Sequence, residues 1–277
     1  MSATTWSEGG MGGGMGGGLS LPQLTPMVKR LMIGLFGIWI AQMLMPIGMR
    51  AGIESFFSLD PEDWFKGPLF LPLWQLVTYG ALHSSDLFHV LWNVLYLYFF
   101  GTMLEGLIGS RRFLSVFLGG VVVGGIGSLA WKLTTGSPAI TLGASAGCLA
   151  VLCAVAVLRP RAPVILIFIP IPLAWLAGGL VALDAFAALG QIEGGAGSGV
   201  DNFAHLAGAG FGFLAARLGW IWVDPGEKLG EALEARRAVS ERADSEKLDD
   251  LLRRIHEEGI GSLTDREREF LKKMSKR

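Results

Sequence analysis

Six apolar stretches fill most of the sequence up to residue 223, and they limit the possible folds more than any other feature. Most of them approach the roughly 20 residues that an α-helix needs to cross the hydrocarbon core of a bilayer. We therefore expect an all-α, polytopic membrane protein with a bundle of six transmembrane helices. Pro170 and Pro172 predict that the fifth helix begins after them and that residues 164–172 form an extended or interfacial entry to it. The stretches lie near residues 31–48, 87–106, 113–131, 143–158, 173–190 and 203–223.

Charged residues define the other parts of the chain. Residues 224–277 hold 27 of the 47 charged residues, of which 14 are acidic and 13 basic. They predict a small soluble helical tail, and its balanced charge gives no reason to expect nucleic acid as a partner. Residues 1–28 include a Gly-rich segment too poor in apolar side chains to offset the entropy of ordering, which predicts a flexible cytoplasmic leader. The membrane domain then spans residues 29–223.

A helical hairpin is predicted within the tail, because two apolar stripes with helical spacing flank Gly259 and Gly261. Thr264 followed by Glu267 has the spacing of a capping box at the start of the second helix. We expect a small structural hairpin here in preference to a dedicated recognition module.

Basic residues are unevenly distributed between the two sides of the bundle. With both termini in the cytoplasm, seven basic residues before the tail lie inside and three lie outside, in agreement with the positive-inside rule. This charge distribution predicts a multi-pass protein that is embedded in the lipid bilayer, and we expect the membrane to be the bacterial inner membrane. The inner residues are Lys29, Arg30, Arg111, Arg112, Arg159, Arg161 and Arg217, and the outer ones are Arg50, Lys66 and Lys132.

Four polar side chains within the apolar stretches are candidates for a shared site, because polar groups inside a membrane are costly. At about 1.5 Å per residue, Ser145 lies roughly 21 Å from the inner end of the fourth stretch. The same estimate places His205 roughly 18 Å from the inner end of the sixth. The serine and the histidine are therefore expected at a similar depth below the outer surface. The four candidates are Ser145, His205, His89 and Asn93.

Small residues on the fourth and sixth stretches would allow the serine and the histidine to meet. Such residues at four-residue spacing let helix backbones approach closely in lipid, and we expect Gly143 and Gly208 to support the site in this way. The histidine would then remove the serine proton on attack and return a proton to the leaving amine. The small residues are Gly143, Gly147 and Ala150 on the fourth stretch and Ala204, Gly208 and Gly212 on the sixth.

Donors for an oxyanion are predicted at two places. Ser145 starts a predicted helix, where backbone N–H groups lack partners, and His89 and Asn93 share one helix face at i, i+4 spacing. Asp201 lies one turn above the histidine and Asp184 has no evident role, so a Ser–His dyad without an acidic partner is predicted. No metal or other cofactor is expected, and a metalloprotease lacks support because none of the four histidines begins a His-Glu-x-x-His sequence.

These elements resemble, in type and order, the rhomboid family of intramembrane serine proteases over roughly residues 29–220. The resemblance rests on several motifs spread along the chain. They are Trp74-Gln75-Leu76-Val77-Thr78-Tyr79 leading to His83, His89-x3-Asn93, Gly101-x3-Glu105-x3-Gly109-Ser110-Arg111-Arg112-Phe113, Gly143-Ala144-Ser145, Pro160-Arg161 with Ile169-Pro170-Ile171-Pro172, and Ala204-His205-Leu206-Ala207-Gly208.

The resemblance implies a fold of six helices around a water-filled cavity and the cleavage of transmembrane protein substrates. It implies that Ser145 is the nucleophile and His205 the general base. It also implies that His89, Asn93 and the amide of the serine stabilise the oxyanion, and that Glu105 is structural. The oligomeric state is not predicted.

Two positions depart from the family pattern, and two other functions stay open. Ala146 follows the serine where the family usually has glycine, and Gln75 stands where the usual Trp-Arg pair has arginine. One alternative is a catalytically inactive rhomboid-like protein that binds transmembrane segments. The other is a small transporter or channel, suggested by Asp184, Glu105 and the histidines within the span, although the sequence shows no repeat of the kind found in many transporters.

Overall fold

The computed structural model describes residues 22–67, 71–166, 169–192, 200–224 and 226–274, and the chain is mostly helical. The predicted Gly-rich segment at residues 9–18 lies outside the described residues. The elements in chain order are α1 (Pro26–Leu44), α2 (Ile47–Phe57), α3 (Pro61–Phe65), α4 (Gln75–Thr78), α5 (Leu87–Tyr96), α6 (Thr102–Ile108), α7 (Ser110–Thr135), α8 (Ser145–Leu158), strands β1 (Pro163–Leu166) and β2 (Ile169–Pro172), α9 (Leu173–Ile192), α10 (Asn202–Arg217), α11 (Glu227–Glu258) and α12 (Asp265–Met274).

Within these described ranges, four helices are long and apolar enough to cross a bilayer. They are α1, the continuous helix Leu87–Ile108 that joins α5 to α6 through a π turn, α7 and α9. They coincide with the first, second, third and fifth predicted stretches. The chain is therefore a multi-pass membrane protein.

The other two predicted stretches correspond to shorter helices. Helix α8 has 14 residues and α10 has 16, or about 21 and 24 Å against a hydrocarbon core of roughly 30 Å. Eleven of the 14 residues of α8 are buried, so this helix packs against protein on all sides. Its sequence is apolar all round for that reason, because it has no face that must meet water.

Helix α1 begins at Pro26, before the predicted start of the first stretch near residue 31 and before the predicted boundary at residue 29. The carboxylate of Glu105 explains this earlier start. It accepts hydrogen bonds from the backbone N–H groups of Met27 at 2.9 Å and Val28 at 2.8 Å, which would otherwise lack partners in the first turn. Glu105 is buried and also contacts the Ser110 hydroxyl, in agreement with the structural role expected for it.

The segment after α8 is extended, as the two prolines predict. Strands β1 and β2 pair in antiparallel register with Pro163 opposite Pro172, and α9 begins at Leu173. The fifth apolar helix therefore starts directly after the second proline, as expected.

The helical hairpin predicted in the tail is present, with α11 and α12 on either side of a short 3₁₀ turn at Ile260–Ser262. The capping box is also present, since Glu267 accepts from the backbone N–H and from the hydroxyl of Thr264, each at 2.8 Å. These bonds, together with the Arg254 guanidinium at 2.8 Å, lower the pKa of Glu267 to about 2. Leu251 in α11 and Leu263, just before α12, are buried.

Helices α7, α8 and α10 form the centre of the bundle, and glycines let α8 and α10 touch through their backbones. A Cβ atom on Gly208 would lie 2.4 Å from the carbonyl oxygen of Ala146, and one on Gly212 would lie 2.0 Å from that of Ala150. The prediction of close approach through α10 is thus confirmed. On α8, however, Gly147 packs against α7, because the helix turns it away from α10.

Candidate active site

Ser145 is the first residue of α8, and His205 lies in the first turn of α10. The serine Oγ and the histidine Nε2 are 2.7 Å apart, which is a hydrogen-bond distance. The serine is half-buried and the histidine side chain is 16% exposed, so solvent reaches both groups. An imidazole nitrogen in this position can accept the proton of the hydroxyl.

The loop that precedes the serine is held by backbone hydrogen bonds. Leu59 and Thr141 exchange two of them, at 3.0 and 2.9 Å, and the N–H of Gly143 donates to the carbonyl of Tyr79 at 3.0 Å. Gly143 has φ of 127°, a conformation that L side chains rarely adopt. These contacts fix the chain immediately before α8 and so set the position of Ser145.

His89 and Asn93 lie on one face of α5, as their spacing predicts. A Cβ atom on Gly143 would lie 2.6 Å from the Nε2 atom of His89, so this nitrogen points at the loop two residues before the serine. The Nδ1 atom of His89 is 3.0 Å from the hydroxyl of Ser84. The structure therefore places a histidine nitrogen beside the N-terminus of α8, where first-turn N–H groups have no partner within the helix.

Asn93 is buried and its amide group is already engaged. Its Nδ2 atom donates to the carbonyl of His89 at 3.0 Å and lies 3.0 Å from the Nε2 atom of His83. Since a side-chain amide has two N–H donors, this arrangement leaves none for a further acceptor. His83 is fully buried and belongs to the group of polar side chains at the site, although the sequence suggested it only as part of a motif.

A carboxylate contacts the other side of His205, contrary to the prediction that no acidic side chain accompanies it. The Oδ1 atom of Asp184 is 3.0 Å from the Nδ1 atom of His205, and Asn202 donates to the same oxygen at 2.6 Å. Asp184 lies 11 residues, or about 16 Å, beyond the start of α9, which matches the depth estimated for the histidine. The same depth estimate that paired Ser145 with His205 would have found it.

Asp201 has a different role from that of a histidine partner. Its carboxylate caps α10 by accepting from the N–H of Ala204 at 3.1 Å. It also lies 3.2 Å from the Nζ atom of Lys132 and accepts from the hydroxyls of Ser128 and Thr141. Lys132, which the charge distribution assigns to the outer side of the membrane, is buried in this cluster. The cluster joins α7, the loop before α8 and the start of α10 next to the site.

A rhomboid domain matches residues 72–222, which is more than half of the chain. The chain belongs to the rhomboid family. The matched region contains Ser145, His205, His89, Asn93 and Asp184.

The chain is similar to the presenilin-associated rhomboid-like protein, mitochondrial, of several animals. It is 32% identical to the human protein over 179 residues, which cover 64% of this chain and 45% of the relative. It is 33% identical to the rat protein over 127 residues, covering 46% of this chain and 33% of the relative. The zebrafish protein A is 32% identical over 164 residues, covering 59% and 40%. The matches thus span less than half the length of these relatives.

The alanine at position 146, where the family usually has glycine, is accommodated by a neighbouring helix. A Cβ atom on Gly124 of α7 would lie 2.4 Å from the Cβ atom of Ala146. The absence of a side chain at Gly124 therefore provides the space that the methyl group of Ala146 fills.

Proposed function

We propose that this protein is an intramembrane serine endopeptidase that hydrolyses peptide bonds in or near the transmembrane segments of membrane proteins. The observation that supports this most directly is the 2.7 Å contact between the Oγ atom of Ser145 and the Nε2 atom of His205 in a multi-pass member of the rhomboid family. A hydroxyl and an imidazole in contact can carry out acyl transfer, and this pair is partly open to solvent.

In the proposed reaction, the Nε2 atom of His205 takes the proton of Ser145 as the oxygen attacks the carbonyl carbon of the substrate. The imidazolium then gives that proton to the nitrogen of the leaving amine as the peptide bond breaks, which leaves an ester on the serine. Water attacks the ester in the second half of the reaction with the histidine again as base, and the carboxylic acid and the free serine result.

We assign stabilisation of the oxyanion to His89 and to the unpaired N–H groups at the start of α8. Asn93 can contribute only after one of its amide protons leaves the carbonyl of His89 or the imidazole of His83. Its assignment therefore carries a structural condition: substrate binding must change the partners of the Asn93 amide.

The engaged amide of Asn93 also favours a second candidate, a catalytically inactive protein that binds transmembrane segments. In that case the site would be a remnant that never completes its oxyanion pocket. The relatives are called presenilin-associated, and either function involves membrane proteins as partners. The two candidates differ in a single measurable property, which is turnover.

Turnover is tested with purified protein in liposomes that contain a transmembrane reporter with labels on both ends. We expect cleavage by the wild type, no cleavage by Ser145→Ala, and wild-type cleavage by Ser115→Ala. Ser115 is a matched control because it is also a helical serine, and within the described part of the chain its hydroxyl bonds to the carbonyl of Arg111 in its own helix. Binding of the reporter without cleavage by the wild type would favour the inactive protein.

We also propose six membrane crossings, formed by the four long helices together with α8 and α10. Residues 29–223 would form the membrane domain, residues 1–28 a leader and residues 224–277 a soluble tail, with both termini in the cytoplasm of a bacterial cell. The mitochondrial names of the relatives do not match a bacterial inner membrane.

The orientation is tested by labelling intact bacterial cells with a membrane-impermeant maleimide. Both native cysteines are buried, so a new cysteine supplies the reactive thiol. We expect labelling of Ser137→Cys, in the loop before α8, and none of Ser245→Cys, in α11, until the cells are opened. Labelling of Ser245→Cys in intact cells would contradict the proposed orientation.

A further inference from the structure

The contacts of the His205 ring define which nitrogen carries its hydrogen. A carboxylate can only accept hydrogen bonds, so the Nδ1 atom that lies 3.0 Å from Asp184 must be the protonated nitrogen. The Nε2 atom then has a free lone pair, and this is the atom that lies 2.7 Å from the hydroxyl of Ser145. Asp184 thus favours the one neutral form of the imidazole that can act as a base towards the serine.

A hydrogen bond from Asn202 holds Asp184, and Asn202 is in turn held by Gln191. Asn202, which is buried, donates to the Oδ1 atom of Asp184 at 2.6 Å and accepts from the Nε2 atom of Gln191 at 2.9 Å. Asp184 and Gln191 lie two turns apart on α9, and Asn202 lies three residues before His205 on α10. Each pair therefore shares a helix face, and the four side chains form a continuous chain of hydrogen bonds between the helices.

The charge of Asp184 distinguishes it from a residue that merely joins two helices. Among the ion pairs of the described residues, it faces His205 and no lysine or arginine, whereas Asp201 faces Lys132 at 3.2 Å. The side chains of His205 and Asp184 are 16% and 15% exposed, so neither is fully hydrated. The carboxylate therefore gains a counter-charge when the histidine becomes an imidazolium, which is the state formed as the serine attacks.

We infer that Asp184 is a positioning residue, which selects the reactive tautomer of His205 and stabilises the imidazolium during attack, and that Asn202 orients it. This inference rests on the proposed protease function and extends the predicted dyad to three residues. It implies that Asp184 acts through the histidine and has no contact with the substrate.

The kinetic test compares Asp184→Asn with the matched control Asp224→Asn. The two carboxylates have similar exposure, 15% and 19%, and Asp224 accepts from the N–H of Gly226 in a way that asparagine can reproduce. We expect Asp184→Asn to lower kcat for the transmembrane reporter by about 10²-fold or more, below the roughly 10⁴-fold seen when the aspartate of a Ser-His-Asp triad is replaced, with little change in KM. Wild-type kcat in Asp184→Asn would overturn the inference.

The spectroscopic test reads the tautomer directly and does not depend on turnover. The chain has only four histidines, so ¹⁵N-histidine labelling gives few signals, and His205→Ala identifies the one of interest. We expect the Nδ1–H form in the wild type and in Asp224→Asn, and a shift towards the Nε2–H form in Asp184→Asn. An unchanged tautomer would contradict the inference even if kcat fell, because a loss of helix packing alone would lower kcat without changing the tautomer.

The two tests together separate the failure of the inference from that of the protease proposal. If the wild type cleaves nothing but Asp184→Asn still shifts the tautomer, the protease proposal is overturned and the positioning of the imidazole by Asp184 stands. If Asp184→Asn does not fold, Asn202→Ala takes its place, because it keeps the carboxylate and removes its donor. We expect that variant to lose roughly 10-fold in kcat and to mix the two tautomers, and wild-type values of both would overturn the inference.

Discussion

The contact between α8 and α10 at Gly208 is close enough that a single methyl group should separate the serine from the histidine. A Cβ atom on Gly208 would lie 2.4 Å from the carbonyl oxygen of Ala146, about 1 Å nearer than the 3.4 Å at which ordinary contact begins. The carbonyl belongs to the backbone of α8 and the new methyl group is attached directly to the backbone of α10, so no side-chain rotation can relieve the overlap. In Gly208→Ala, α10 must therefore move away from α8 by about 1 Å.

Movement of this size has a calculable effect on both stability and activity. His205 lies one turn from Gly208, so its 2.7 Å contact with the serine would lengthen to about 3.7 Å, beyond hydrogen-bond range. Misplacement of reacting groups by 1 Å costs about 10²-fold in rate, and overpacking costs about 1–3 kcal/mol of stability. We expect the melting temperature to fall by roughly 3 °C for each kcal/mol.

The assay measures reporter cleavage and thermal unfolding in the same liposomes or micelles. Gly210→Ala is the control, because it adds the same methyl group to the same helix where nothing lies within 4 Å. We expect the control to match the wild type in both measurements. Equal melting temperatures and equal cleavage for Gly208→Ala and Gly210→Ala would refute the idea that direct backbone contact sets the geometry of the site.

Three further predictions concern charged residues around the bundle. Lys132→Met should lower the free energy of unfolding by about 3 kcal/mol, because it leaves the Asp201 carboxylate without its positive partner. The double variant with Asp201→Asn should regain part of that loss, and equal stability of the single and double variants would contradict the prediction. Glu105→Gln should lower the free energy of unfolding by about 1–3 kcal/mol, because the amide NH₂ group of glutamine is a donor and would face the backbone N–H donors at the start of α1. An unchanged melting temperature in the same assay would argue against this cap. The ¹³C signal of the Glu267 carboxyl should titrate near pH 2 in the wild type and at a higher pH in Thr264→Ala, which removes the hydroxyl donor and keeps the backbone N–H. Since folding lowers the pKa of Glu267, the stability it gives the hairpin is present above pH 4.5 and is lost as the pH falls towards 2.

The helices were predictable because their signals are local. Runs of apolar residues, the prolines at 170 and 172 and the capping pair Thr264 and Glu267 each act over one or two turns, so the sequence alone indicates them. The early start of α1 was not predictable in the same way. It depends on Glu105, which is distant in sequence and reaches the first turn only in the folded bundle.

The sequence predicted how deep the site residues lie in the membrane, but not the direction in which their side chains point. The rise per residue gave the levels of Ser145 and His205 from their distance to charged helix ends, and the structure places the two in contact. The same estimate applied to Asp184 would have shown a third group at that level. Asp184 was overlooked because depth does not say which way a side chain points around its helix. A different rotation of α9 would turn Asp184 away from His205.

The small residues show the same limitation. Gly208 and Gly212 face α8 as expected, whereas Gly147 faces α7 and Ala146 makes the contact with α10. Spacing of four residues identifies a stripe on one helix, but it does not identify the neighbour. That choice depends on the relative rotation of three helices, which only their combined packing determines.

The helices that carry Ser145 and Asp184 differ in how much of their surface is buried. Helix α8 is enclosed by its neighbours, whereas only Leu173, Ala177 and Ala188 are buried along the whole of α9. Ser145 is therefore attached to a helix that protein encloses, whereas the carboxylate of Asp184 is attached to a helix that is mostly exposed at the surface of the bundle. In the proposed protease, a change in bilayer thickness or composition would therefore act on the Asp184 carboxylate before it acts on Ser145.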